Sequence, residues 1–208
     1  MDVQVWPGGQ PGQTIAIVSL VLSDDVKLPA TVRIPVPGGG TIDWAGEIAS
    51  ADPSQDPTRT YEIRQGDGGP YVEFEVSQSR NAQIEVGAIP LSVSGDESTS
   101  QLTFVQSVPA SITAFTVRLP SGMELVSLAP ESKKDPETNA DGEALYSLPS
   151  KRMKTGDSTT VKVTYREAAL PDVASGPDSA TVVLYALMGA LVVAVVAFLV
   201  VLRNRRGA

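Results

Sequence analysis

Residues 181–202 read TVVLYALMGALVVAVVAFLVVL, 22 consecutive residues with neither a charge nor a proline. As a helix rising ~1.5 Å per residue they reach about 33 Å, enough to cross the ~30 Å hydrocarbon layer of a bilayer. A buried helix of a water-soluble fold rarely needs so long a run without a polar face. The stretch therefore predicts one C-terminal transmembrane α-helix. Residues 1–180 become a body held at a lipid bilayer.

The flanks set the direction. Arg203, Arg205 and Arg206 crowd the tail, whereas residues 172–179 hold no Lys or Arg. Basic residues stay on the cytoplasmic side. The expected protein is single-pass in the cell membrane, with the N-terminal ectodomain outside and the basic tail, 203–208, in the cytoplasm. Export of such an ectodomain calls for a signal, and MDVQVW at the start has neither a basic nor an apolar signal region. A signal upstream of this start, or one already trimmed, is expected. The alternative is a tail-anchored protein with a cytoplasmic body, which sets three arginines against the charge rule.

Composition narrows the chemistry. The chain carries −8 at pH 7, and the tail supplies three of its sixteen basic residues while no acid lies beyond Asp178. Residues 1–180 thus hold 13 basic and 24 acidic groups, a balance of −11. Such a body repels phosphate backbones, so nucleic acid is not an expected partner. The chain has no Cys and no His. Disulfides, thiolate sites, Ser-His-Asp triads and most zinc chemistry are therefore out of reach. No enzyme activity and no cofactor are expected.

Before residue 180 no stretch combines a helical period with caps, and strand patterns dominate. Val3 to Trp6 reads as a short strand stopped by Pro7-Gly8-Gly9. TIAIVSLVL, from Thr14, is apolar on both alternations and reads as a central strand. Val32 and Ile34 should face inward with Arg33 outward. Val72, Phe74 and Val76 alternate cleanly with Tyr71, Glu73 and Glu75. Residues 51–58, ADPSQDPT, form a loop by composition. The polar run 94–100, SGDESTS, reads as a linker.

The second half repeats the first. TVRIP at 31–35 matches TVRLP at 116–120, an offset of 85, and residues 71–76 correspond loosely to 143–148. The closing strands at 83–89 and 160–165 pair off in the same order. The expected fold class is all-β: two tandem immunoglobulin-like β-sandwich domains, 1–93 and 101–167, joined by the linker 94–100. A stalk, 168–180, leads to the transmembrane helix at 181–202.

Several residues are candidates for binding. Glu137, Asn139 and Asp141, followed by Gly142, have the oxygen-ligand spacing of a calcium loop, but Leu148 stands where the closing glutamate is required, and an acidic turn is the plainer reading. Trp6 and Trp44 offer platforms for a sugar face, although a sandwich core is expected to bury each at least by half. Ala186, Ala190 and Ala194, with Gly189, put small residues every four positions on the helix and permit weak association with a second copy. Lys151, Arg152 and Lys154 form a basic cluster that can meet anionic headgroups or stand as a solvated turn.

VWPGGQPGQTIAIVSLVLSDDVKLPATVRIPVPGGG, with LTFVQSVPASITAFTVRLPSGMELVSLAP and the C-terminal span, resembles a group of bacterial single-pass membrane proteins that pair two extracytoplasmic β-sandwich units with a C-terminal anchor. Val5, Trp6, Leu28, Pro29, Ala30, Val32, Ile34 and Pro35 carry the likeness in the first unit; Phe104, Val117, Pro120, Gly142 and Tyr165 carry it in the second. The resemblance implies architecture and location, and no activity. The expected function is an interaction or scaffold module binding a protein partner at the cell surface. The alternative is a module for carbohydrate or cell-wall glycan. An enzyme built on paired carboxylates is a third class.

Overall fold

A computed structural model describes residues 1–38 and 40–168. The expected transmembrane helix, the expected stalk from residue 169 on, the positions Ala186, Gly189, Ala190 and Ala194, and the tail arginines Arg203, Arg205 and Arg206 lie outside the described residues. Within them the chain is all-β.

Thirteen strands form in order: β1 (Asp2–Gln10), β2 (Gln13–Val21), β3 (Ala30–Pro35), β4 (Thr41–Glu47), β5 (Glu62–Gly66), β6 (Gly69–Val76), β7 (Asn81–Ser94), β8 (Glu97–Val105), β9 (Ala114–Leu119), β10 (Met123–Ala129), β11 (Glu137–Thr138), β12 (Ala144–Ser147) and β13 (Ser158–Glu167). One sheet runs β10-β13-β8-β7-β2-β1-β9-β12-β11, with β4 also paired to β7; a smaller sheet runs β3-β6-β5.

The pairing scheme occurs twice. In the first half β2 and β4 both pair with β7, and β3 and β5 both pair with β6. In the second half β8 and β10 pair with β13, and β9 and β11 with β12. The registers follow the sequence repeat. Val32 stands opposite Phe74 and Val117 opposite Tyr146, so the two TVR segments meet corresponding partners. Each scheme has a bulge at the same place, at Asp43 of β4 and at Val126 of β10.

Residues 94–100, expected as a linker, are instead a hairpin. β7 runs to Ser94, Gly95 and Asp96 turn the chain, and β8 pairs back with Leu91 opposite Ser100. The physical reason is that these polar residues satisfy one another inside the sheet. Thr14 Oγ1 donates to the buried Ser100 Oγ at 2.7 Å, and the Thr99 and Thr164 hydroxyls lie 2.9 Å apart. Composition alone cannot separate a hydroxyl-bonded strand from a solvated linker. A second departure is at Pro7-Gly8-Gly9, which does not stop β1. Gly8 adopts φ +73°, the register shifts between Pro7 and Gln10, and the strand continues through the irregularity.

Residues 1–168 accordingly cluster as a compact unit with a shared core. Val18, Ile34, Phe74 and Ile84 from the first half and Leu102, Phe104, Val117 and Val163 from the second are all buried in it. β1 joins the halves directly, antiparallel to β2 and parallel to β9. The expected alternations hold at residue level: Val32, Ile34, Val72, Phe74 and Val76 are buried, and Arg33 is exposed. Phe104 and Phe115 meet edge to face, ring centres 5.6 Å apart, an arrangement that contributes about 1 kcal/mol beyond burial.

One carboxylate fixes the first half's loops. Glu47, at the end of β4, is fully buried. It accepts the backbone N–H groups of Ser77, Gln78 and Ser79 at 3.0, 2.7 and 2.6 Å, and Arg59 Nε donates to it at 2.6 Å. Burial opposes its ionisation, but these four donors outweigh burial and hold its carboxyl below the usual glutamate range. A depressed native pKa means that Glu47 contributes stability in full above the unfolded-state pKa of ~4.3 and loses it as pH falls through the native value. Glu47→Ala should therefore lower unfolding free energy by on the order of 3 kcal/mol at pH 7 and by less at pH 3. Urea titrations of the full chain in detergent at both pH values measure this; an equal loss at both contradicts it.

Candidate interaction sites

The two tryptophans share one face of the large sheet. On β1, Val3 and Val5 face the core while Gln4 and Trp6 take the other side. On β7, Ala82, Ile84 and Val86 face the core, with Gln83 and Glu85 opposite. Register places Trp44 beside Glu85, and β7, β2 and β1 follow in sequence across the sheet. At ~4.8 Å per strand, Trp44 and Trp6 stand about 14 Å apart laterally. Both are more than half buried, as expected for sandwich tryptophans.

Trp6 is already engaged by its own chain. The Arg118 guanidinium lies 3.9 Å from its ring centre, and its indole packs on Gly9, where an added Cβ would come within 2.8 Å of the ring. Arg118 in turn donates to Glu143 at 2.5 Å, and Asn139 Nδ2 donates to the same carboxylate oxygen at 2.7 Å. Burial disfavours the Glu143 anion; the Asn139 and Arg118 hydrogen bonds and the Arg118 charge overcome it and keep the carboxyl below its ordinary range. The Trp6 N–H is buried without a hydrogen bond of full geometry, and its positive edge adds to the same effect. This cluster locks β1, β9 and the turn before β12 together. It occupies the Trp6 ring with the Arg118 guanidinium and packs its edge near Gly9.

The same turn absorbs the calcium-loop candidates. Glu137 belongs to β11, and Asn139 Oδ1 accepts the backbone N–H groups of Asp141 and Glu143 at 3.0 and 2.9 Å. The side-chain oxygen that a cation would need closes the turn instead, and Gly142 takes φ +77° there. In the basic cluster Lys151 Nζ donates to Thr159 Oγ1 at 3.2 Å, and the intervening Met153 is buried in the core.

Trp44 is different. Its N–H donates to Thr58 Oγ1 at 3.0 Å, and its ring passes over Gly46, where a Cβ would lie 2.6 Å from the indole. Thus fixed, it borders an open groove of about 430 Å³ lined also by Ile48, Pro53, Asp56, Gln83 and Glu85.

A second groove, about 490 Å³, lies beside β10 and is lined by Leu125, Val126, Leu128, Pro136 and Tyr146 among others. Comparison of the repeats explains it. In the first, the fourteen residues 48–61 connect β4 to β5 and double back along β4: Glu47 N donates to Pro57 O, Arg59 N to Ala45 O, and Gly46 bridges Thr58. In the second, only seven residues, 130–136, connect β10 to β11. They turn toward β12, where Ser132 Oγ donates to Ser147 O at 2.9 Å. The connection therefore borders the flank of β10 without running along it, adding Glu131, Ser132, Lys134 and Asp135 to the groove, and Val126 is 41 % exposed. Neither groove shows in the strand alternation. The unequal spacing between the repeated strands was the available signal for the second.

Arg118→Ala should free the Trp6 ring, shift its fluorescence to longer wavelength and destabilise the chain by about 2 kcal/mol. Steady-state emission and urea unfolding read this; unchanged emission contradicts the stacking. No protein-family model matches the chain, and a search of curated proteins finds no match.

Proposed function

We propose that the chain is a membrane-anchored, extracytoplasmic interaction module without catalytic activity, which binds a protein partner through the groove beside β10. The apolar run at 181–202 and the arginines behind it support the anchor and its direction. In this reading the two halves are immunoglobulin-like units fused through β1 and β7, the arrangement that the likeness to bacterial anchored proteins implies. The observation that carries the binding role is the contrast between repeats. The chain fills the space beside β4 with its own loop and leaves the matching space beside β10 floored by Leu125, Leu128 and Tyr146.

The contact is made by side chains rather than by strand addition. Val126 bulges out of the edge, and Pro130, at the position matching Glu47, has no N–H to donate. A partner thus inserts apolar side chains between β10 and β12.

The absence of Cys makes the test specific. Val126→Cys in the full chain accepts a membrane-impermeant maleimide photo-crosslinker added to intact cells of the source organism. The expected result is labelling from outside and a discrete protein adduct that Leu128→Glu removes. Labelling only after lysis contradicts the location; labelling without an adduct contradicts the partner site.

A further inference from the structure

The groove beside Trp44 has a composition of its own, independent of the β10 reading. Its aromatic wall is held before any ligand arrives, between the Thr58 hydrogen bond and the Gly46 backbone. Its opposite wall is also built: Asp56 Oδ1 accepts the Ala49 and Ser50 N–H groups at 2.8 and 3.0 Å, and Asp52 caps the 3₁₀ turn at Pro53–Gln55. A hydrogen-bond relay orders the floor, Ser19 Oγ donating to Gln83 Oε1 at 3.0 Å and Gln83 Nε2 to Glu85 Oε1 at 3.2 Å. Among the described residues the second Glu85 oxygen has no partner and remains available as an acceptor.

We propose that this groove is a carbohydrate subsite that takes an uncharged pyranose ring of an envelope or extracellular glycan. A pyranose has one face of C–H groups and a rim of hydroxyls. The C–H face suits the Trp44 indole, and the hydroxyls suit the Glu85 carboxylate and the Gln83 amide. The volume lies within the ~300–1,000 Å³ range of small-ligand sites. The lining holds two carboxylates, Asp56 and Glu85, and no Lys or Arg. An anionic sugar or a phosphate is therefore repelled, whereas a neutral ring is not. Trp6, stacked on Arg118, takes no part.

The test uses the full chain in detergent, with tryptophan emission and affinity electrophoresis as readouts. Probes are chitohexaose, cellohexaose and maltohexaose, with polygalacturonate as the anionic control. At least one neutral oligosaccharide should shift the emission saturably, and polygalacturonate should not. Glu85→Gln keeps the shape of the floor and should weaken that binding at least tenfold with unchanged circular dichroism. Trp44→Phe should weaken it and remove the shift. Absence of saturable binding to all three neutral probes overturns the proposal. So does equal affinity in Glu85→Gln, or preferential binding of polygalacturonate.

Discussion

β7 is the strand on which the described body depends. Its fourteen residues serve two sets of neighbours. The N-terminal part, with Ala82, Ile84 and Val86 buried, is flanked by β2 and β4; the C-terminal part pairs with β8. The N-terminal part is held on both flanks, the strand bulges at Gly87 and Ala88, where Ala88 takes φ +56°, and the C-terminal part is held by β8. The end of the first pairing scheme and the beginning of the second are therefore one piece of backbone. β1 adds a second tie by joining β2 to β9. The halves resemble each other in topology yet bury their apolar residues in a common core.

Within that frame the loops decide what each half can do. Both halves place a bulged strand beside a longer partner, β4 on β7 and β10 on β13. The longer connection in the first half reaches back to cover β4 and builds the groove at Trp44 on the way. Glu47 anchors the result by collecting three consecutive backbone N–H groups. The shorter connection in the second half does not double back along its strand, so the flank of β10 stays open, with Leu125, Val126 and Leu128 beside Glu131, Lys134 and Asp135. Two grooves of different lining thus follow from one difference in loop length on a repeated scaffold.

Much of the strand content was legible in the sequence because alternation is local. Val72, Phe74 and Val76 announce their face by spacing alone, as do Phe115, Val117 and Leu119. The repeat between residues 31–35 and 116–120 was readable for the same reason, and its register partners follow it. What failed were inferences from composition. Ser94 to Ser100 looked like a linker because hydroxyl side chains are polar, and the cross-strand bonds of Thr99 and Ser100 that make them strand residues are long-range. The parallel pairing of β1 with β9 joins residues more than a hundred positions apart. No local signal could place Arg118 over Trp6, or separate that tryptophan from the one beside the groove. The calcium-like spacing at Glu137, Asn139 and Asp141 was present, but the backbone of a tight turn claims the Asn139 oxygen.

Cooperativity is the property that most directly follows from a shared core. The chain holds two tryptophans, one at the β1–β9 seam and one in the first half. Trp6→Phe leaves Trp44 to report on the first half, while far-ultraviolet circular dichroism reports on all the strands. Urea unfolding of this variant, in the full chain in detergent, should give one transition with coincident midpoints by both probes. A dichroism signal that unfolds in two steps, with Trp44 following only one of them, would show two independent halves and contradict the account.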